Sequence, residues 1–524
     1  MVNSPRPNQL STSASVVSVG VQGGSGHHGY TEEETEAFTD YINSTLMDDE
    51  DLKEKLPIAK DGLFEACKDG ILINKLINTA VPGTVDERVI NKKKSLNPWE
   101  RNENHELAIN SAKAIGCRVV NISPAFIEEG RPHIVLGLVW QIIKIGLLAD
   151  INLKVHPELV RLLGEGESLS DLLKMNPTDL LIRWVNYHLK NAGSDRRIRN
   201  LEGDIKDSVA YTLLLSQICP NGECSKDPLN ENDLEKRAEK MLQQADKIGC
   251  RKFVRPKDVV NHNPKLNLAF VANLFNNYPA LEKVNLNDYA ELLNFDMEGT
   301  REERAFKFWI QSLDIDCNLI PEDLKDGVVL LKVFDKVKPG CVEWKRVSNP
   351  PKNRYQAIEN TNYCVDLAKQ FKFNTVNVGG TDIADGNKKI ILGLIWQLMR
   401  RSLLDTLKAL GGGKEIEEKD IVAWANSRVS DEKPIDGLDD RTLRTGVFLC
   451  KLCSAIKPTA CNLDLVTPGE TDEDATQNAK YAISVARKIG ATVFLLFEDI
   501  LEVKPRMILS FLASLMKVDK TLNK

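Results

Sequence analysis

The segment VLGLVWQIIK, Val135 to Lys144, returns 256 residues later as ILGLIWQLMR, Ile391 to Arg400. Five of the ten positions are identical, and the other five exchange like for like: Val/Ile twice, Ile/Leu, Ile/Met and Lys/Arg. Such a match inside an apolar segment marks an internal duplication, which constrains the fold before any local reading does. Whatever surface the first copy offers, the second offers again. One polypeptide with two similar surfaces for one partner is most simply a cross-linker.

Extending the match yields four units. The first opens on EEETEAFTDYINSTL, runs through KDGILINKL (Lys68 to Leu76) and Ile115-Gly116-Cys117, and closes on a long apolar helix after Pro132. The third has FKFWIQSL around Trp309, KDGVVLLKV (Lys325 to Val333) and the matching closing helix around Trp396. Two weaker copies alternate with them. One has LIRWVNYHL around Trp184, KDSVAYTLLL from Lys206 and a closing helix after Pro264; the other has IVAWANSRV around Trp424, RTGVFLCKL from Arg444 and a closing helix after Pro505. Trp184 and Trp424 are 240 residues apart, and Gly249 and Gly490 are 241 apart. The order strong, weak, strong, weak describes a pair of unlike domains duplicated as a pair.

Apolar residues recur at three- and four-residue spacing and strand-like alternation is scarce, which predicts an all-α chain. The expected domains span 30–149, 176–281, 300–405 and 417–521, after a flexible Ser/Gly-rich tail over 1–29. The linkers between them are too short for spacer rods, so the four domains are expected to pack against one another.

A net charge of −6, from 69 basic and 75 acidic residues, argues against a protein built to neutralise nucleic-acid phosphates. Eleven scattered cysteines suit reduced, buried thiols of a cytoplasmic chain better than a disulfide framework. The longest apolar stretch, 134–149, is 16 residues and contains Gln141 and Lys144, short of the ~20 that cross a bilayer. Enzyme signatures are missing. Cys450 and Cys453 form a C-x-x-C inside an apolar helix with no second pair, GEGES from Gly164 lacks the Lys-Ser/Thr of a phosphate loop, and no H-E-x-x-H occurs. No cofactor and no metal are expected.

An opening helix with a central Trp, a Lys-Asp-Gly helix start, an Ile-Gly turn and a Pro-initiated closing helix resemble the calponin-homology domain. Four of these in two tandem pairs resemble the fimbrin (plastin) family of actin-bundling proteins, over about residues 30 to 521. VINKKKSLNPWERNENHELAINSAKAIGC, EGRPHIVLGLVWQIIKIGLLADI, LLIRWVNYHLKNAG and LGLIWQLMRR carry the likeness. The resemblance implies a noncatalytic monomer of the actin cytoskeleton, each pair an actin-binding domain. A compact chain of this length has a radius of gyration of ~24 Å, so two filaments joined by it lie close. By the same resemblance the filament contacts fall in 35–46, 131–146 and 178–190 of the first pair, and in 302–313, 388–402 and 418–428 of the second.

One departure matters. Fimbrins commonly carry two calcium-binding EF-hands ahead of the first domain, whereas 29 residues precede it here. The nearest match to such a loop, Asp314, Asp316 and Asn318, has Leu319 where the turn needs Gly and Lys325 in place of the closing carboxylate. Calcium-independent bundling is the expectation.

Candidate contacts in the first pair are Ile42 and Asn43, the basic run Lys92, Lys93 and Lys94, and Leu138, Gln141, Ile142 and Lys144. In the second pair they are Lys388, Lys389, Leu394, Gln397, Leu398, Arg400 and Arg401. The closing helix is apolar nearly all round, the mark of a wholly buried helix. The other reading packs one stripe inside and turns a second, with a polar rim, to a partner. Trp140 and Trp396 read as core. The lysine run reads as a solvated loop or as rim charge toward an acidic filament. Arg196, Arg197 and Arg199 are a candidate phosphoinositide cluster. The alternative function is a single-filament side-binder or scaffold with one active pair. Microtubule binding ranks below it, since no sustained heptad repeat is present.

Overall fold

Each domain is organised around four helices of ten residues or more. The first domain has α1 (Glu32–Leu46), α2 (Ile71–Ala80), α3 (Pro98–Ala114) and α4 (Pro132–Leu148). The second has α5 (Pro177–Asn191), α6 (Val209–Ile218), α7 (Leu234–Lys247) and α8 (Pro264–Asn277). The third has α9 (Arg301–Ser312), α10 (Val328–Val337), α11 (Arg354–Gln370) and α12 (Lys388–Leu410). The fourth has α13 (Glu418–Arg428), α14 (Val447–Ile456), α15 (Asp472–Lys488) and α16 (Pro505–Leu522). This computed structural model describes residues 16–18, 29–289 and 300–523. Among them the exception to helix is one antiparallel pairing, Val16–Ser18 with Gly29–Thr31. The rest of the tail expected over 1–29 lies outside the described residues.

The Lys-Asp-Gly signal has a steric cause. Gly70, Gly327 and Gly446 precede α2, α10 and α14 at φ of 77°, 78° and 71°. A Cβ on them would lie 2.7, 2.9 and 2.8 Å from the Cβ of Asn104, Asn360 and Asn478. Glycine alone meets both demands. Each asparagine then latches the turn. Asn104 donates to the Asp69 and Asn91 carbonyls (2.9 and 3.0 Å) and accepts from the Asn91 amide (2.9 Å). Asn360 makes the same three bonds to Asp326 and Ser348, and Asn478 to Thr445 and Thr467. The second domain solves the problem differently: Ser208 takes φ 60°, and Arg237 reaches the carbonyls of Asp207 and Glu231.

The duplicated tryptophans are core, as their setting in the sequence predicts. Phe38 stacks on Trp140 with centroids 5.5 Å apart, and Phe306 on Trp396 at 6.4 Å. The third domain's expected end at 405 falls inside α12, whose apolar side continues to the buried Leu407 before Gly411 ends the helix. The segment between the first two domains is itself packed, since Ile151, Leu153, Leu159 and Leu172 are buried.

Within each half the leading and trailing domains meet through matching ion pairs: Lys265 with Glu34 at 3.0 Å, and Arg506 with Glu302 at 2.8 Å. Helix α8 lies against α4, and α16 against α12. The halves join chiefly where α3 meets α15. There Asn110 donates to the Arg487 carbonyl (3.1 Å) and accepts from the Thr492 hydroxyl (2.7 Å), while Lys457 pairs with Glu103 at 2.9 Å. The four domains therefore pack together, and the two closing helices of the leading domains are held in fixed places.

Candidate functional site

Helices α4 and α12 each keep one face at least partly exposed. On α4 it runs His133, Gly137, Gln141, Lys144 and Leu148; on α12, 256 residues further on, it runs Lys389, Gly393, Gln397, Arg400 and Leu404. None of the ten is buried. Steps of three and four residues put them on one side of a helix. A glycine lies at the centre of each face. A Cβ built on Gly137 or Gly393 would meet nothing within 4 Å. Mid-helix glycine is ~1 kcal/mol worse than alanine, and no neighbour among the described residues requires it here. The same unforced glycine stands at the same place in both halves.

The two glutamines beside these notches are positioning residues. Gln141 accepts from the Arg118 amide (2.7 Å) and donates to the Arg118 carbonyl (3.0 Å). Gln397 does the same to Asn374, at 2.6 and 3.2 Å. Each fastens the turn after the third helix to the closing helix. Lys144 stands at the rim, where partial burial and the nearby Arg118 charge draw its pKa below the usual lysine value. Arg118 in turn pairs across the halves with Asp314 (3.7 Å) and with Asp316. On α12, Arg400 pairs with Glu418 at 2.6 Å and Arg401 with Asp405 at 2.8 Å. Lys388 pairs with Glu303 at 3.2 Å, and Lys389 is exposed.

Several expected contacts are corrected. Ile42, Leu138, Ile142 and Leu398 are 0% exposed and Leu394 is 4% exposed, so the apolar anchors assigned to a partner belong to the core. The cause is helical geometry: at ~100° per residue, Leu138 and Ile142 are rotated off the face of Gly137 and Gln141. They join the part of α4 that packs in the core with α2. Asn43 is committed internally, accepting from the Ile58 amide (2.7 Å) and donating to its carbonyl (2.9 Å).

The basic run is matched by acids of its own domain: Lys92 with Asp51 (2.7 Å), Lys93 with Glu100 (2.6 Å) and Lys94 with Glu54 (3.8 Å). Exposed pairs of this kind hold weakly, so Lys93 and Lys94 are easily redirected, whereas Lys92 faces two acids, Asp51 and, at 3.8 Å, Glu87. The arginine cluster is reduced as well. Arg196 pairs with Asp207 at 2.7 Å, and Arg197 donates to the Ser194 and Arg196 carbonyls.

All eleven cysteines are unpaired and ten are buried. Burial pushes the Cys67 and Cys117 thiols up to about 12. Cys450 and Cys453 are core residues. Among the described residues no helix is long and apolar enough to cross a membrane, and no group of three His, Cys, Asp or Glu side chains could hold a metal.

Four similar helical domains, alternating in kind, form a chain built of calponin-homology repeats. The calponin homology (CH) domain family matches residues 32–147, 175–280, 300–403 and 415–521. Fimbrin of Dictyostelium discoideum is 49% identical over 506 residues, 94% of this chain and 82% of that protein. Fimbrin of Saccharomyces cerevisiae is 46% identical over 525 residues, 97% and 82% respectively, and plastin-3 of Homo sapiens 48% over 511 residues, 93% and 80%. The crystal structure of the actin-crosslinking core of Schizosaccharomyces pombe fimbrin superposes with a TM-score of 0.81 at 41% identity, covering 93% of this chain and all of that one. The chain belongs to the fimbrin family.

Proposed function

We propose that this chain cross-links actin filaments into tight bundles, gripping one filament with each half and catalysing nothing. The observation that carries the reading is the duplicated face on α4 and α12, with its open glycine in the same place in both halves. The similarity to an actin-crosslinking core supports actin as the partner. A bare glycine lets a protruding side chain of the partner reach the helix backbone. Lys144 and Arg400 rim the notch, and the exposed Lys93, Lys94 and Lys389 add attraction toward an acidic filament. Such charges raise encounter rates more than affinity.

In this reading the protein acts as a cytoplasmic monomer of the actin cytoskeleton, and bundling needs no calcium. A compact chain of ~24 Å radius of gyration spaces its two filaments closely. Each face must engage a different filament, so bivalence yields bundles rather than tighter decoration of one. Phosphoinositide binding at Arg196 to Arg199 is not part of the reading, because Arg196 is engaged by Asp207.

Low-speed sedimentation of filamentous actin with the full chain tests it. Bundles pellet, equally in calcium and in chelator. A chain that reaches only the high-speed pellet, on single filaments, is a side-binder and the reading fails.

A further inference from the structure

A cleft of ≈ 220 Å³ opens where three domains meet. Thr84 to Asp86 of the first domain form one wall, Arg304 of the third another, and Lys480, Ser484 and Arg487 of α15 the rest. Three of the lining residues are cations, Arg304, Lys480 and Arg487. The acidic one, Asp86, is taken up by Arg88 at 2.6 Å.

Arg487 is the anomaly. It is 4% exposed, and Nη1 and Nη2 donate to the Thr84 and Val493 carbonyls at 3.0 and 3.1 Å. Its Nε has no acceptor, and among the described residues no carboxylate pairs with it. Buried charges are normally paired, because neutral acceptors do not repay the loss of water around an ion. Burial, with Arg304 nearby, pushes its pKa down to about 9, which leaves it charged at neutral pH. Lys480 adds a second charge, its ammonium 4.7 Å from the Phe497 ring centre, again with no carboxylate partner among the described residues. Ser484 Oγ accepts from the Asp86 amide at 2.9 Å and keeps its own proton to donate.

We propose that this cleft binds a small dianionic phosphate group, contacted by Arg304, Lys480, Ser484 and Arg487. Guanidinium groups present paired donors to phosphate oxygens, and the lysine supplies a point charge. The volume lies below the ~300 Å³ at which drug-sized pockets begin, so it suits a single phosphate group rather than a nucleotide. Because the walls come from both halves, the bound anion clamps one half to the other and stabilises their association by mass action. The site lies apart from the α4 and α12 faces and stands independently of the actin reading.

Calorimetric titration of inorganic phosphate into the full chain, in chloride buffer at constant ionic strength, tests the proposal. Saturable one-site binding is expected, with a rise in melting temperature that sodium chloride does not reproduce. Lys480→Ala and Arg304→Ala each weaken binding by about tenfold, the worth of one charge-assisted hydrogen bond. Arg354→Ala, exposed and remote, leaves it unchanged. Arg487 lies in a buried interface, so the two wall variants carry the test. Phosphatidylcholine vesicles with and without phosphatidylinositol bisphosphate distinguish the source. Capture that is lost in the wall variants assigns the phosphate to a lipid head group; phosphate binding without capture assigns it to a soluble anion. No saturable heat and no capture, or binding undiminished in both variants, overturns the site.

Discussion

Helices α4 and α16 both begin at a proline and both close a domain, yet they are used oppositely. Along α16 every residue from Met507 to Met516 is buried, and along α8 every residue from Leu266 to Phe275. On α4 the burial is broken at Gly137 and Gln141, and on α12 at Leu392, Gly393 and Gln397. The difference follows from position. A trailing closing helix lies between its own domain and the leading one, as α8 against α4 and α16 against α12. A leading closing helix packs on its own core and against the trailing closing helix, and the side that carries the glycine stays partly exposed. Where α4 and α12 carry glycine, the trailing helices carry the buried Ala269 and Ser510. One motif thus serves as support in the trailing domains and as a presented surface in the leading ones.

The comparison breaks first if the corrected core residues are not core. Leu138→Ala or Leu398→Ala costs about 2–5 kcal/mol of stability in denaturant titrations, with or without actin. A variant of unchanged stability that has lost filament binding would return those leucines to the surface. Acid gives the next largest effect, within the trailing domains. Burial holds His188, 3% exposed, down to about 4. The unfolded chain takes up that proton near pH 6.5, so it binds more protons than the folded chain as pH falls from there to 4. Stability therefore drops across that window, by ~3 kcal/mol at its foot. In the fourth domain Arg428 stands at the matching place, 240 residues on, and contributes nothing of this kind. His188→Gln flattens the acid limb of the stability curve; an unchanged limb contradicts a neutral buried imidazole.

A matched pair of substitutions sharpens the contrast itself. Ala269→Leu overpacks a buried site and costs ~1–3 kcal/mol. Gly137→Leu, on the open face, leaves stability level or raises it by up to ~1 kcal/mol, yet weakens filament binding by the first half by at least about tenfold. The smallest effect belongs to the rim. Lys93→Ala leaves the denaturation midpoint unchanged, because its pair with Glu100 is at the surface, and shows instead as slower association and a shallower salt dependence.

Much of the fold was legible because its signals are local. A glycine forced to positive φ at Gly70, Gly327 and Gly446 and prolines at helix starts recur at fixed distances, so four units and their order can be read directly. The site was only half legible. In a helix apolar nearly all round no periodicity separates inside from outside, so Leu138 and Ile142 could not be told from Gly137. The missed clue was comparative: glycine at 137 and 393 against alanine at 269 and serine at 510. The pairing of Lys92 with Asp51, and of Asn110 with Arg487 across 377 residues, leaves no local pattern at all.

Low-speed sedimentation of actin with Gly137→Leu, Gly393→Leu and the double variant measures the central claim, that two equivalent faces each hold one filament. Either single variant should remain on filaments without bundling them, and the double variant should stay in the supernatant. Full bundling by both single variants would show that the notches on α4 and α12 are not where filaments are held.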